Sequence, residues 1–437
     1  MCKAHSFKSA KLSIMEFDGL IPRRVGELVA ERARTEPVIA LHGPRSVGKS
    51  TVLRGFADSV GGSVIDLDDV EVREAVQGNL AASVRGTPVL IDEYQRVPDI
   101  LDALKARLNR EGSLPGTAIL TGSTRRDALP ATAQALTGRL HSLVIWPLSQ
   151  GELEGVRENM LEVLAGDADG VVSAVPSSST ARSEYVDRVC SGGMPLALRR
   201  SASARARWFD DFVRASVERD AVELSRIRER QALADLLGYV AAQTGQLLNV
   251  TTAAEKLGIS RPTAENHLRL LEDLFLVVRL PAWGKSLRSR VSAKPKVHVV
   301  DSGLATRLLR LTPEKLTGID PTSLTDFGHL LETFVIGELR KQASWLDDPV
   351  TLGHWRTSDG AEVDLVVEYD DGRVVAFEVK ASERAPGKEF RGLAQLRDLL
   401  GERFIGGIML STGARSYTYE DRLHVMPIDR LWTPVPV

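Results

Sequence analysis

Short apolar runs that stop at polar clusters punctuate the first third of the chain. Val38-Ile39-Ala40-Leu41-His42 runs into a glycine-rich stretch, Pro88-Val89-Leu90-Ile91 into Asp92-Glu93, and Thr117-Ala118-Ile119-Leu120 into Thr121-Gly122-Ser123. Lys49 to Ser59 reads as a helix, and Leu140 to Trp146 offers a further strand. Apolar strands with polar carboxyl ends, separated by helical stretches, predict a parallel sheet with its site at the strand ends. Gly166 to Ser183 is rich in Gly, Ala, Ser and Asp without a period, so a mobile loop is expected there. Ala204 to Val240 is strongly helical, and Asn249 to Leu280 forms a compact helical unit. From Thr325 the pattern becomes helix, β-hairpin, helix, strand, which predicts a separate α/β domain.

Length and composition narrow the class. The 437 residues suggest about three domains at roughly 150 residues each. Hydrophobic residues make up 43% and charged residues 26%, values of a globular protein with real cores. A net charge of -2 gives no global attraction to nucleic acid or membrane, so any such contact needs a local basic patch. Cys2 and Cys190 have neither metal-ligand nor disulfide spacing, and a cytoplasmic setting is expected. Met1 to Phe17 lacks a continuous apolar core, so no signal peptide is expected. No apolar run nears the roughly 20 residues of a membrane span.

Gly43-Pro44-Arg45-Ser46-Val47-Gly48-Lys49-Ser50 matches Gly-x-x-x-x-Gly-Lys-Ser in full, after an apolar strand and at the start of a helix. Glycines let backbone N–H groups approach phosphates closely, and the helix presents its positive end. These residues, with Thr51, are expected to hold ATP, with Lys49 at the β- and γ-phosphates and Ser50 on magnesium. Asp92 at a strand end is expected to hold Mg2+ through water, and Glu93 to orient or deprotonate the attacking water. Ser123, or less favourably Thr121, is placed to sense the γ-phosphate. Arg139, in Thr137-Gly138-Arg139, is a candidate finger for transition-state charge, in cis or from a neighbour. Arg45 lies inside the loop and is a further candidate for a phosphate contact.

Thr251 to Gly258 reads as a helix ended by glycine, and Ser260 as the N-cap of a second helix with Pro262 in its first turn. That is a helix-turn-helix layout, and Val277-Val278-Arg279-Leu280 looks like the first strand of a wing. The second helix offers Arg261, Thr263, Asn266, His267 and Arg269, but also Glu265, Glu272 and Asp273. The segment 285–296 carries Lys285, Arg288, Arg290, Lys294 and Lys296 and suits phosphate neutralisation. DNA binding and a protein-protein spacer weigh equally on this pattern.

Glu362 to Tyr369 and Arg373 to Lys380 are β-prone runs separated by Asp370-Asp371-Gly372. A three-residue hairpin loop pairs Tyr369 with Arg373 and puts Asp364 opposite Glu378, with Lys380 on the same face opposite Glu362. The other face, Val363, Leu365, Val367, Val375, Phe377 and Val379, is apolar. Asp364 and Glu378 are candidate metal ligands, Lys380 a candidate water-positioning group, and Glu332 a further acid. Asp followed by Glu-x-Lys on the next strand is the spacing of restriction-endonuclease-like nucleases. A cross-strand ion-pair cluster without catalysis fits as well.

Nearly the whole chain resembles bacterial and archaeal P-loop ATPases of the AAA type that carry a C-terminal restriction-endonuclease-like domain of unknown function. The matching stretches are Ile21-Pro22-Arg23-Arg24, Gly43 to Ser50, Leu90 to Gln95, Leu120 to Ser123, Thr137-Gly138-Arg139, Thr244 to Asn249, Lys296 to Leu304, Leu331-Glu332, Trp355-Arg356 and the Glu362 to Lys380 pair. The resemblance implies a multidomain α/β chain. Its parts would be an ATPase core over 1–150, a helical lid over 151–228 including the loose loop, a winged helix over 229–295 and a PD-(D/E)xK nuclease-like domain over 296–437. It implies ATP and Mg2+ as cofactors, with DNA and further copies of the chain as candidate partners. The rival expectation is a nucleotide-controlled switch that binds a protein and cuts nothing.

Overall fold

The computed structural model describes residues 19–124, 136–174, 177–217, 230–284, 294–384 and 386–435. Five strands, β1 (Val38–His42), β2 (Val64–Asp66), β3 (Val89–Asp92), β4 (Ala118–Gly122) and β5 (Leu140–Val144), form a parallel sheet in the order β2-β3-β4-β1-β5. β1, β3 and β4 are buried along their whole length, because helices cover both faces. Val38, Ala40, Ile91 and Leu120 pack in one apolar cluster, and Ile39, Leu41, Leu90 and Ile119 in the other. The alternation of side chains across a strand splits each run this way.

The middle unit contains helices Arg230–Ala242, Val250–Leu257 and Arg261–Asp273 with strands β6 (Gln246–Leu247), β7 (Val277–Leu280) and β8 (Lys296–Val299). β8 is the centre of this sheet, pairing antiparallel with β6 and β7. The expected division between residues 295 and 296 therefore falls at a strand that belongs to the middle unit.

The last sheet has the order β13-β14-β12-β11-β10-β9, built from β9 (Val350–Arg356), β10 (Glu362–Tyr369), β11 (Val374–Lys380), β12 (Phe404–Ser411), β13 (Tyr417–Glu420) and β14 (Leu423–Pro427). It is mixed: β10 pairs antiparallel with β11, and β12 lies parallel to both β11 and β14. Helix Pro321–Ala343 belongs to the apolar cluster on one face, and helix Arg391–Leu400 to that on the other. The hairpin has the expected register, with Leu365 opposite Phe377 and the Tyr369 N–H donating to the Arg373 carbonyl.

Two expectations fail here. Gly166 to Ser183 is not a featureless loop. It contains the helix Ala168–Ala174, whose Ala168, Val171 and Val172 are buried at helical spacing, in the cluster that includes Ile408 and Met426 of the C-terminal sheet. Ser178 and Thr180 further on both donate to the Asp429 carboxylate. One apolar stripe of three residues in a Gly/Ser-rich context is too short to read as a period. The second failure is Val363, which packs with Val366 and Ala376 rather than with Leu365 and Phe377. A register shift against β9 between Val363 and Val366 breaks the alternation there. The acid-bearing face is consequently half core, because Val366, Val374 and Ala376 lie in the cluster of helix Arg391–Leu400.

Candidate functional site

The loop Gly43 to Ser50 leaves the carboxyl end of β1 and enters helix Lys49–Val60. Ser46 and Gly48 both have left-handed backbone, at φ 59° and 102°. Gly48 is the N-cap, and no side chain caps this helix. The first-turn N–H groups thus have no side-chain acceptor, which favours an anion at that end. Lys49 is buried, and its ammonium donates to the Gly43 and Pro44 carbonyls at 3.1 and 2.9 Å. Arg23 braces the loop from the stretch before the first helix, donating to the Val47 and Trp146 carbonyls at 2.6 Å each and to Glu152.

A Cβ added at Gly43 would sit 2.2 Å from the Ile145 carbonyl oxygen, so the loop approaches β5 through a position only glycine fills. Gly43→Ala is expected to cost about 1–3 kcal/mol by overpacking, read as a lowered melting midpoint. Gly55→Ala, within the helix where an added methyl meets nothing, should leave the midpoint unchanged or raise it.

Asp92 ends β3 and Glu93 follows it, at the same edge of the sheet as the loop. Asp92 is buried and accepts from the Thr121 hydroxyl. Glu93 has left-handed backbone (φ 54°), uncommon for a residue with a Cβ, and its N–H donates to Thr121 Oγ1 at 3.2 Å. Thr121 thus serves both acids. Gln95 then joins Glu93 to Ser123: its Nε2 donates to the Glu93 carboxylate and, at 2.9 Å, to Ser123 Oγ. His42 Nε2 and the Tyr94 hydroxyl meet at 2.9 Å beneath this network.

Beside the loop lies a largely apolar cleft, bounded by Leu20, Ile21, Val47, Leu148, Pro195 and Leu198. Pro195, just after Gly193, lines it. The Gly193 carbonyl accepts from Leu148 N–H at 2.8 Å, and the Gly193 N–H donates to Asp301 Oδ2 at 2.7 Å. Asp301 is buried and also caps helix Ser302–Leu308 through Leu304 N–H. Residue types alone cannot show this cleft or the Gln95 bridge. The cleft assembles residues more than 170 positions apart, and Gln95 sits in a short turn without a period.

Arg139 is not with this group. β5 runs parallel to β1, with Val38 opposite Leu140 and His42 opposite Val144. Arg139 therefore stands at the far edge of the sheet, roughly 20 Å from the loop at about 3.3 Å per residue, where it donates to Asn109.

A second constellation lies between the middle unit and the C-terminal sheet. Lys296, the first residue of β8, is 2% exposed, donates to Glu332 (2.9 Å) and Asp364 (2.8 Å), and forms an ion pair with Glu362 at 2.6 Å. Asp364 Oδ2 also accepts from Val379 N–H at 2.9 Å. Lys380 donates to Glu378 Oε1 at 2.8 Å. Burial works to raise Asp364, but the Lys296 ammonium outweighs it and holds the carboxyl below its ordinary range. Burial, followed by the Asp364 charge, pushes Glu378 up to about 8 and Glu332 well upward. The expected acids are thus together, with Lys296 among them. Sequence reading assigned Lys296 to an exposed basic segment, and its burial corrects that. Lys285, Arg288 and Arg290 of the segment lie outside the described residues.

On helix Arg261–Asp273, Arg261, Asn266 and Arg269 are exposed while His267 is buried. Glu265 and Glu272 pair with Arg279 of β7 at 2.9 and 2.5 Å. Among the described residues no three of His, Cys, Asp and Glu are grouped to hold a metal ion, and no helix is long and apolar enough to cross a membrane.

Residues 35–154 match an AAA domain, residues 182–315 a domain of unknown function (DUF8612) and residues 327–431 another (DUF4143). Uncharacterized proteins of Mycobacterium tuberculosis and Mycobacterium bovis are each 27% identical over 430 residues, covering 98% of this chain and 88% of theirs. Among solved structures, a Walker-type ATPase of Pyrococcus abyssi is 17% identical, with TM-score 0.42, over 66% of this chain and 96% of its own. The RuvB Holliday junction branch migration motor of Thermotoga maritima is likewise 17% identical, with TM-score 0.29, over 60% and 90%.

Proposed function

We propose that the chain binds ATP with Mg2+ at the Gly43 to Ser50 loop and hydrolyses it. One observation carries this reading: a glycine loop that opens an uncapped helix, and a buried aspartate followed by a glutamate, meet at the same edge of one parallel sheet. The residues fit the groups. The helix end and Lys49 suit the terminal phosphates, and the Ser50 hydroxyl with the Asp92 carboxylate makes an oxygen donor set of the kind Mg2+ takes. Bound there, the metal would neutralise charge developing on the phosphates. Thr121 keeps Asp92 in place. Glu93 is the acceptor for a proton of the attacking water, and Gln95 holds it in line with Ser123. The apolar cleft from Leu20 to Leu198 suits the adenine base. Arg139 would act only on a neighbouring subunit's nucleotide.

We read residues 230–299 as a winged helix and the C-terminal sheet as a nuclease-like domain, both coupled to the ATPase. The exposed Arg261, Asn266 and Arg269, with Glu265 and Glu272 paired to Arg279, fit a nucleic-acid partner. One observation favours the alternative of a protein-binding switch that cuts nothing: the acids of the C-terminal site are engaged by Lys296. ATPase rate with and without duplex DNA, at two salt concentrations, separates the two. Stimulation that fades as salt rises supports the nucleic-acid reading, and an unchanged rate at both salts supports the switch.

A further inference from the structure

Trp146 follows β5 of the first sheet by two residues, His298 lies on β8 of the middle unit, and Thr333, Gly337 and Arg340 lie on helix Pro321–Ala343. All five line one small cavity where these three parts of the chain meet. Thr333, Gly337 and Arg340 recur at helical spacing, so a single helix face forms one wall. A Cβ added at Gly337 would meet nothing within 4 Å, so the missing side chain leaves that space open.

The polar side chains around the cavity are short of acceptors. His298 is 3% exposed. Its Nδ1 lies 3.1 Å from Thr333 Oγ1, which lies 2.8 Å from Thr244 Oγ1. Thr244 Oγ1 accepts from Val299 N–H at 3.2 Å. Its own proton passes on to Thr333, whose proton ends on Nδ1. Burial above all, with the Lys296 and Arg340 charges, holds the pKa of His298 well below its ordinary range, so the imidazole is neutral. Its one proton is then on Nε2. That atom and Trp146 Nε1 are both buried with no hydrogen-bond partner among the described residues. Arg340 adds positive charge, its guanidinium 5.9 Å from the centre of the Trp146 ring. Buried donors without acceptors are costly, and two of them on one cavity call for a ligand that supplies lone pairs. A water would answer both but bring two protons of its own to a cavity whose other walls include Val278, Val299 and Ile336. An anion accepts from both donors and brings none.

We propose that this cavity is a binding site for a small inorganic anion of the halide class, held by Trp146 Nε1–H, His298 Nε2–H and the Arg340 charge. A single-atom anion takes donors from any direction, whereas the apolar walls offer nothing to the outer oxygens of phosphate or sulfate. Because its donors come from three parts of the chain, a bound anion joins them. The inference is independent of the ATP reading.

Bromide is the probe, with the nucleotide-free full chain. Crystals grown in sodium bromide are expected to show an anomalous peak in the cavity, within hydrogen-bond reach of Trp146 Nε1 and His298 Nε2. In solution the melting midpoint is expected to rise as sodium bromide replaces sodium gluconate at fixed ionic strength, since a ligand of the folded state stabilises it. Trp146→Phe keeps a ring against Phe275 and removes the N–H. It should raise the apparent bromide dissociation constant about tenfold, the loss of one hydrogen bond to a charged group. Gly337→Leu fills the open space on a helix, where leucine is better tolerated than glycine, and should fold yet lose the rise. No peak in the cavity, a peak without any rise in melting midpoint, an unchanged dissociation constant in Trp146→Phe, or a folded Gly337→Leu variant that keeps the rise overturns the proposal.

Discussion

Glu93→Gln is expected to slow ATP turnover by roughly 10²–10⁴-fold, the range in which a positioned general base contributes, while nucleotide affinity stays near that of the unmodified chain. The split between rate and affinity follows from where Glu93 sits. Its N–H is tied to Thr121 and its carboxylate to Gln95, so glutamine can keep the backbone turn and its side-chain packing. What glutamine loses is the capacity to take a proton. Lys49→Ala should behave differently and lose affinity as well as turnover, because the lysine side chain is buried against the loop it serves. Single-turnover hydrolysis beside equilibrium nucleotide binding, on the same preparations, reads both effects.

Asp301→Ala is expected to lower stability by about 2–4 kcal/mol and to weaken nucleotide binding, although Asp301 lies outside the cleft. Its carboxylate satisfies the Gly193 and Leu304 N–H groups in a buried setting, and each group left without an acceptor costs about 1–3 kcal/mol. A lost helix cap alone typically costs about 1 kcal/mol. Gly193 leads directly into Pro195 and Leu198, which wall the cleft. Loosening it should raise the nucleotide dissociation constant, whereas Asp301→Asn, which keeps an acceptor oxygen, should fall between. Thermal melting and nucleotide titration of the two variants check this. An alanine variant that melts lower but binds nucleotide as before would confine Asp301 to a structural role. Asp301 also follows β8 by two residues, and β8 begins at Lys296.

Local chemistry was legible where it depended on neighbours in sequence. Gly43 to Ser50 does sit between a strand and a helix, and Asp92 does end a buried strand that Glu93 follows, because a strand-loop-helix order is read within about twenty residues. The pairing of β10 with β11 was legible for the same reason, since a tight turn sets the register. The parts that escaped are assembled over distance. Lys296 meets acids 36, 66 and 68 positions further on, and in sequence it is one basic residue among several. The cleft joins Leu20 to Leu198. The placement of Arg139 needed the order of strands, because β5 lies beside β1 and carries the arginine at the edge opposite the loop. Helix Ala168–Ala174 escaped because its apolar stripe forms only against the C-terminal sheet.

The account stands on a nucleotide-phosphate site at the start of helix Lys49–Val60. Titration calorimetry with ATP and Mg2+ tests it directly, comparing the unmodified chain with Lys49→Ala. The expected result is heat of association saturating at one nucleotide per chain, and its loss in the variant. No heat from the unmodified chain, or the same binding by both proteins, would contradict it.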